Sequence, residues 1–310
     1  MNSPCGRRST LALVASGLFA LTACGLNESP STTQSSAGGG AGTGSRAPMS
    51  ADPALAAQVP STIKDAGVIR MATQAGYPPF GYMGPDGKTL IGFDIDLANA
   101  IGAKLGVKVE PVNTSFDAII PALQAKNVDM AMASIGDTKE REQKVDFTTY
   151  YWNGTLILVL KGNPKGIKGD MACGVQIGVI RGSLQQSTFL PAQGPKCEAK
   201  GLKAPVAQAY QDGPQAQLAL KSGRIDGVMQ DAPPLLDQAK KNPDAFEVTG
   251  PLVRNPNPGG VALPKGSELV KPVNAAINQL MKDGTYDAIV TKWNLKDIAI
   301  DASEVNGAMK

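Results

Sequence analysis

Stretches typical of strands and of helices alternate along most of this chain, and the same order occurs twice. In the first half, a β-forming stretch at residues 68–72 precedes a helical pattern over Phe93–Leu105, whose apolar residues share one face, and a second helical pattern over Phe116–Gln124. In the second half, Gln176–Ile180 precedes a helical pattern from about Ser183, a second one at residues 214–221 and another β-forming stretch at residues 226–229. A strongly β-forming run at residues 155–160 separates the halves. Such alternation favours parallel sheets covered by helices, and two units joined by a β crossover predict two α/β lobes.

The amino-terminal residues have the pattern of an export signal. Arg7 and Arg8 precede an apolar run at residues 11–19, which is too short to cross a bilayer as a helix. The pattern ends in Leu21-Thr22-Ala23-Cys24, which resembles the bacterial lipoprotein motif. That resemblance implies a signal peptide over residues 1–23 and a lipid on Cys24. The residues after the twin arginine match the Tat pattern poorly, so the Sec and Tat routes both stay open.

The next segment, residues 24–60, consists mainly of Ser, Thr, Gly, Ala and Pro. It has too few large apolar side chains to bury a core, so we expect a disordered tether. A Gly/Ser-rich coil of about 35 residues reaches roughly 30–35 Å, enough to hold a domain away from a membrane. We expect the folded body to begin near Ser61.

Charge and histidine content exclude several classes of function. The formal net charge of +3 is spread along the chain without a Lys/Arg block, which argues against nucleic acid as a partner. The chain has no histidine, so it forms neither a Ser-His-Asp triad nor a His-ligated zinc site. We expect no catalytic residue, no metal and no cofactor.

Two cysteines remain in the exported body, Cys173 and Cys197. An even pair outside the cell favours a disulfide, although two buried free thiols are the alternative. A bridge that closes a loop of about 24 residues would stabilise the fold by roughly 3–4 kcal/mol.

A series of short motifs runs through the body of the chain. They are Tyr77-Pro78-Pro79-Phe80, Gly92-Phe93-Asp94-Ile95-Asp96, Ile119-Ile120-Pro121-Ala122-Leu123, Thr138-Lys139-Glu140-Arg141, Val179-Ile180-Arg181-Gly182-Ser183, Gly223-Arg224-Ile225-Asp226 and Asp283-Gly284-Thr285-Tyr286. In this order and spacing, over residues 63–295, they resemble the extracellular solute-binding proteins of family 3, the amino-acid receptors of ABC importers.

The resemblance implies an α/β, two-lobed periplasmic-binding-protein-like fold of type II. Its ligand cleft would lie between lobes joined by two crossover strands. Lobe 1 would comprise residues 61–153 and 259–310, and lobe 2 residues 154–258.

The resemblance also assigns ligand contacts. Arg141 matches the arginine that clamps the ligand α-carboxylate in a planar fork, and Asp231 matches the acceptor of the α-ammonium. Both charges of an amino acid need partners when they leave water. Tyr77 and Phe116 match the aromatic walls around the ligand side chain. The further positions, with hydroxyl or backbone groups, are Ser134, Gly136, Gly182 and Ser183.

Each assignment has a structural alternative. Without the family spacing, Arg141 would be a solvated helix arginine and Asp231 a helix N-cap. Tyr77 and Phe116 would be core residues, although Tyr77 lies in an extended Tyr-Pro-Pro segment that is more typical of a loop.

Some residues depart from the family pattern. Gly136 stands where many relatives have Ser or Thr, and Leu184 replaces a common second hydroxyl. Asp137 is an extra carboxylate, which could pair with Arg141 or favour a cationic ligand. Arg181 would favour an acidic ligand if it faced the cleft. These charges conflict, so the identity of the amino acid stays open.

The resemblance and the export signal together imply a lipid-anchored, monomeric receptor on the outer face of the bacterial cytoplasmic membrane. It would capture a polar amino acid by hinge closure and deliver it to an ABC permease.

Two alternatives to this function remain. An enzyme of the cyclohexadienyl-dehydratase type would need a well-placed general acid or base. A ligand-sensing receptor domain would usually be joined to a membrane span and a cytoplasmic module.

Overall fold

The computed structural model describes residues 50–309. The predicted signal peptide, Cys24 and residues 24–49 of the predicted tether lie outside the described residues. Within the described range, no helix combines the length and the apolar character needed to cross a membrane.

The described chain forms two five-stranded sheets and a short hairpin. The strands are β1 (Val68–Thr73), β2 (Tyr82–Met83), β3 (Leu90–Ile91), β4 (Lys108–Asn113), β5 (Met130–Ala131), β6 (Val145–Tyr151), β7 (Gly154–Leu160), β8 (Gln176–Ile180), β9 (Val206–Tyr210), β10 (Gly227–Asp231), β11 (Phe246–Arg254) and β12 (Gly259–Pro264). The first sheet has the order β4-β1-β5-β12-β6 and the second β11-β7-β10-β8-β9. We refer to these sheets with their helices as lobe 1 and lobe 2.

Ten α-helices cover the sheets in the described range. They are α1 (Pro53–Gln58), α2 (Ser61–Ala66), α3 (Phe93–Leu105), α4 (Phe116–Gln124), α5 (Lys139–Glu142), α6 (Gly194–Glu198), α7 (Gly213–Lys221), α8 (Ala232–Lys241), α9 (Val270–Lys282) and α10 (Thr285–Lys292). In lobe 1, α3, α9 and α10 contribute to one buried cluster and α4 to another. In lobe 2, α7 and α8 contribute to a buried cluster on one face, and Phe189 and Leu190 to the cluster on the other, so each sheet is covered on both faces.

Both sheets are mixed, so the prediction of parallel sheets is wrong in part. In lobe 1, β1 pairs with β4 and β5 in parallel, whereas β12 is antiparallel to β5 and β6. In lobe 2, β8 pairs with β9 and β10 in parallel, whereas β7 is antiparallel to β10 and β11. The antiparallel strands are those that adjoin the lobe crossings, where extended chain replaces the helical crossover that parallel pairing needs.

Two extended segments join the lobes. Residues 152–153 lead from β6 to β7, and residues 255–258 lead from β11 to β12. The segments are hydrogen-bonded to each other, because the Asn255 N–H donates to the Asn153 carbonyl at 3.0 Å. The Trp152 indole N–H donates to the Asn255 carbonyl at 2.7 Å. The two crossings thus form one paired hinge.

The folded body begins earlier than predicted. Helix α1 lies inside the segment expected to be a tether, and the Asp52 carboxylate caps it by accepting from the N–H groups of Ala54 and Leu55. Leu55 and Val59 are buried in the lobe 1 core. Two apolar residues at helical spacing are enough here because α3 and α9 provide a surface to cover them. The tether prediction is therefore wrong for residues 53–60.

The helix predicted from about Ser183 is interrupted. A π-helical turn at Gln185–Phe189 leads into a 3₁₀ turn at Pro191–Gln193, and only then into α6. Pro191 and Pro195 each lack a backbone N–H, so a continuous α-helix cannot form across them. At Gly284 the chain breaks between α9 and α10, where this residue has a left-handed φ of 75°.

The predicted disulfide is confirmed. Cys173 and Cys197 are bonded, with Cα atoms 5.5 Å apart and a sequence separation of 24. The bridge ties the segment before β8 to α6 in lobe 2.

Candidate ligand-binding site

A cavity lies between the two lobes beside the hinge. We call it the cleft cavity; it is lined by Gln74, Tyr77, Phe116, Ser134, Gly136, Arg141, Ile180, Ser183, Leu184, Gln185, Asp231 and Asn255. Seven of the eight residues predicted to contact ligand are in this set, and Gly182 is adjacent to it. The space open to the centre of a water molecule is only about 20 Å³, so the lobes are closed upon each other here.

Asp231 is held by donors from both lobes. It ends β10 and precedes α8, but its side chain does not cap that helix. Its Oδ2 accepts from the Tyr77 hydroxyl at 3.0 Å and the Ser134 hydroxyl at 2.9 Å, and its Oδ1 accepts from Gln185 Nε2 at 3.0 Å. Burial raises the pKa of Asp231, and these three hydrogen bonds oppose the shift. The N-cap alternative therefore does not describe this carboxylate.

Arg141 is also buried, which removes the alternative of a solvated helix residue. The residue is 8% exposed on α5. Its Nη1 donates to the Gly136 carbonyl at 2.8 Å, and its Nη2 donates across the cleft to the Gly182 carbonyl at 3.0 Å. The Phe116 ring lies beneath the guanidinium, with 5.7 Å between Cζ and the ring centroid. Burial is the main cause that lowers the pKa of Arg141.

Ser134 is positioned from below by Asp94. Ser134 has a φ of 51°, which is uncommon for a residue with a side chain. Its N–H donates to Asp94 Oδ2 at 3.1 Å, while the Tyr150 hydroxyl donates to Asp94 Oδ1 at 2.7 Å. The Ser134 hydroxyl can then reach both Asp231 and the Tyr151 hydroxyl, the latter at 3.1 Å.

The two predicted aromatic residues differ in their contacts. Phe116 begins α4, is partly buried, and lies against Arg141. Tyr77 is buried and stacks on Phe80, with ring centroids 6.0 Å apart. Its hydroxyl is bonded to Asp231, so Tyr77 is part of the polar site as well as an apolar wall.

The loop at Gly182 and Ser183 does not offer the backbone donors that we predicted. The Gly182 N–H donates to Gln186 Oε1 at 2.7 Å, and the Ser183 N–H donates to the Ile180 carbonyl at 3.1 Å. Gly182 instead contributes its carbonyl oxygen, which accepts from Arg141. The turn satisfies its own N–H groups, because the chain leaves β8 through a tight bend rather than a regular helix start.

Two departures from the family pattern prove to be neighbours. A Cβ atom added at Gly136 would lie 2.8 Å from Leu184 Cδ1, closer than van der Waals contact allows. Leu184 therefore occupies the space that a side chain at Gly136 would need.

Asp137 and Arg181, whose opposite charges left the identity of the bound amino acid open, do not line the cleft cavity. Asp137 is fully buried, and burial together with the neighbouring carboxylate of Glu142 raises its pKa. Arg181 is exposed to solvent. Neither residue contributes a side chain to the lining.

Four further residues line the cleft cavity that the sequence pattern did not indicate as ligand contacts: Gln74, Ile180, Gln185 and Asn255. Gln185 has the most direct role among them, because its side-chain Nε2 donates to both the Asp231 carboxylate and the Thr155 hydroxyl oxygen. Its position two residues after the Gly182-Ser183 turn was the available signal. Asn255 lies in the second crossing, whose course the sequence did not reveal.

The fold and this polar cleft define a two-lobed binding protein. Residues 69–296 match the bacterial extracellular solute-binding proteins, family 3. The L-cystine-binding protein TcyJ of Escherichia coli strain K12 is 34% identical over 239 residues, which cover 76% of this chain and 86% of that protein.

Solved structures show the same relationship. An ancestral arginine-binding protein bound to glutamine has a TM-score of 0.67 and 39% identity, covering 74% of this chain and 99% of that one. The substrate-binding protein of an amino acid ABC transporter has a TM-score of 0.63 and 32% identity, covering 73% and 98% of the two chains. The chain belongs to the extracellular solute-binding proteins of family 3 and is thus an exported binding protein. These relatives are named as binding proteins rather than enzymes.

Proposed function

We propose that this protein binds a free α-amino acid in the cleft cavity and delivers it to an ABC importer. The observation that carries the proposal is the placement of one buried cation and one buried anion, Arg141 on lobe 1 and Asp231 on lobe 2, around the same cavity. An amino acid brings an α-carboxylate for the guanidinium and an α-ammonium for the aspartate. Each charge then has a partner when it leaves water.

The ligand side chain in this proposal is polar and uncharged. Among the described residues that line the cleft cavity, Arg141 is the only cation and Asp231 the only anion. Both are used by the α-groups, so an arginine or glutamate side chain would bury a further charge without a partner. The carboxamides of Gln74, Gln185 and Asn255 supply donors and acceptors for a neutral polar group instead.

Binding proceeds by opening and closure of the lobes. In this form of the protein the cleft cavity has little free space, and the Asp231 carboxylate already accepts from Tyr77, Ser134 and Gln185. The ligand enters when the lobes part, and its ammonium then joins the donors around Asp231 while its carboxylate meets Arg141. Because this ligand contacts both lobes, it favours the closed form over the open one.

The importer partner and the lipid anchor complete the proposal. A relative from an amino acid ABC transporter supports the partner, and Leu21-Thr22-Ala23-Cys24 supports a lipid on Cys24 that holds the protein at the outer face of the cytoplasmic membrane. The variant Cys24→Ala should appear in the soluble fraction. Retention of that variant on membranes would rule out this anchor.

Calorimetric titration with a panel of amino acids tests the binding proposal. Arg141→Ala should lose about 2–5 kcal/mol of binding free energy for every ligand, because the ligand carboxylate is left unpaired. Arg181→Ala removes an exposed arginine outside the cleft cavity and is the matched control. Wild-type affinity of Arg141→Ala would overturn the carboxylate assignment. Stronger binding of arginine or glutamate than of any neutral polar amino acid would overturn the side-chain assignment.

A further inference from the structure

A second and larger cavity lies behind the hinge. We call it the rear cavity; it is lined by Pro79, Trp152, Asn153, Gly154, Leu156, Ala232, Pro233, Leu236, Asp237, Lys240, Leu252, Arg254, Trp293, Asn294, Leu295, Asp297, Ile298 and Ala299. The space open to the centre of a water molecule is about 460 Å³, within the usual range for small-molecule sites.

The rear cavity and the cleft cavity lie on opposite sides of the same chain segments. Asn255 lines the cleft cavity, whereas its neighbour Arg254 lines the rear cavity. The same division holds for Asp231 and Ala232. Arg254 and Asn255 are neighbours in extended chain, whose side chains point in opposite directions, so the second crossing separates the two spaces.

The apolar part of the rear cavity suits a ring. Trp152 and Trp293, the only tryptophans in the sequence, both line it. Leu236 and Leu252 are 49% and 59% exposed, and they present apolar surface to the cavity. A flat apolar ligand would cover these side chains.

The charged part suits an anion. The Arg254 guanidinium lies over the Trp152 ring, with 4.8 Å between Cζ and the centroid. Within residues 50–309, neither Arg254 nor Lys240 forms an ion pair, whereas Asp237 is bound to Lys241 at 2.7 Å. The lining thus holds two cations and two carboxylates, and of the two carboxylates Asp237 is already paired with a lysine outside the lining.

We propose that the rear cavity binds an aromatic carboxylate, with its ring between Trp152 and Trp293 and its carboxylate at Arg254 and Lys240. Both lobes contribute to the lining, as shown by Trp293 from lobe 1 and Leu236 from lobe 2. A pivot at the hinge that narrows the cleft widens the space behind it. The aromatic carboxylate therefore binds the closed form better and stabilises it.

The test uses 1-naphthoate as the probe and 1-naphthylmethylamine as its cationic counterpart in calorimetric titrations. We expect 1-naphthoate to bind at least about tenfold more tightly than the amine, and Arg254→Gln to weaken it about tenfold. Arg181→Gln is the matched control and should bind like the wild type. Lys240→Gln provides a second variant at an exposed position.

Equal affinity for the acid and the amine, or an unchanged affinity in both Arg254→Gln and Lys240→Gln, would overturn the proposal. Arg141→Ala separates the two cavities. If that variant lost the binding of 1-naphthoate, the anion would lie in the cleft cavity, and the rear site would be wrong. Retained binding of 1-naphthoate by Arg141→Ala supports the rear site whatever amino acid the cleft prefers.

Discussion

At the scale of single residues, Asp94 positions the candidate site from outside the cleft cavity by binding the backbone of Ser134. Its carboxyl group is fully buried and accepts from the Ser134 N–H and the Tyr150 hydroxyl. Burial raises its pKa to about 7 from the ordinary value of 3.8. Asp94 does not line the cleft cavity, but it fixes the backbone of the serine that donates to Asp231.

The raised pKa of Asp94 predicts how the stability of the protein changes with pH. Between the ordinary pKa of 3.8 and the folded value of about 7, the folded protein keeps a proton that the unfolded chain has released. The contribution of Asp94 to stability is therefore fully present below the lower value and is lost as the pH rises through the upper one. The loss is about 1.4 kcal/mol per pH unit within the window at most.

Urea denaturation at a series of pH values would isolate this effect. Asp94→Asn cannot titrate, so its free energy of unfolding should fall less steeply with rising pH than that of the wild type. Asp137 and Asp231, whose pKa values burial also raises, stay in both proteins, so the difference between the two curves reports Asp94 together with its effect on the neighbouring charge of Asp231. Parallel curves for the two proteins would contradict the shift at Asp94.

The pair Gly136 and Leu184 should behave as a unit. Gly136→Ser alone places a side chain against Leu184 Cδ1 and should cost about 1–3 kcal/mol of stability. Gly136→Ser combined with Leu184→Ser removes the obstacle. We expect a coupling energy of about 0.5–3 kcal/mol in a double-mutant cycle measured by denaturation. Strict additivity of the two changes would show that the contact is unimportant.

At the scale of structural elements, the start of β12 has no room for a side chain. A Cβ atom at Gly259 would lie 2.0 Å from the Tyr151 ring, on the strand that leads into the first crossing. Gly259→Ala should therefore destabilise the protein by about 1–3 kcal/mol or more. Gly194→Ala is the control, because a Cβ there meets only Ala204 Cβ at 3.6 Å. Equal melting temperatures of the two variants would refute the argument.

The elements also show what the sequence could predict. Phe93–Leu105 and Phe116–Gln124 are helices as expected, because their apolar residues repeat at helical spacing and no strong breaker falls in their first turns. Helix α1 was missed because Leu55 and the C-capping residue Val59 are the large apolar residues of a segment of small ones, and the surface of α3 and α9 makes that helix stable. The local sequence pattern of a helix does not reveal the packing surface that distant helices provide for it.

The same limit applies to the candidate site. Arg141 and Asp231 were placed by family spacing, and the structure brings both to one cavity. The hydrogen bonds of the Gly182 turn were not foreseen, because a π-helical turn and a 3₁₀ turn replace the expected helix. Sequence spacing locates a loop on the fold, whereas the direction of its N–H groups depends on the local turn.

At the scale of the whole molecule, closure should be visible as a change in size. An amino acid that pairs with Arg141 and Asp231 adds a contact between the two lobes to those that Tyr77, Ser134 and Arg141 already make across the cleft. Small-angle X-ray scattering should show a smaller radius of gyration with a bound neutral polar amino acid than without it. The Arg141→Ala variant should not contract at the same ligand concentration. An unchanged radius in the wild type at saturating ligand would contradict closure by population shift.

The order of strands in lobe 1 has a consequence for how the chain acquires its structure. Strand β6 pairs with no strand except β12 in its sheet, and β12 is made only after all of lobe 2. Lobe 2 is continuous from β7 to β11 and can fold as a unit while the chain emerges. The lobe 1 sheet cannot be completed before β12 has been made, because β12 lies between β5 and β6 in that sheet. The half that carries Arg141 is therefore completed only after β12 is available.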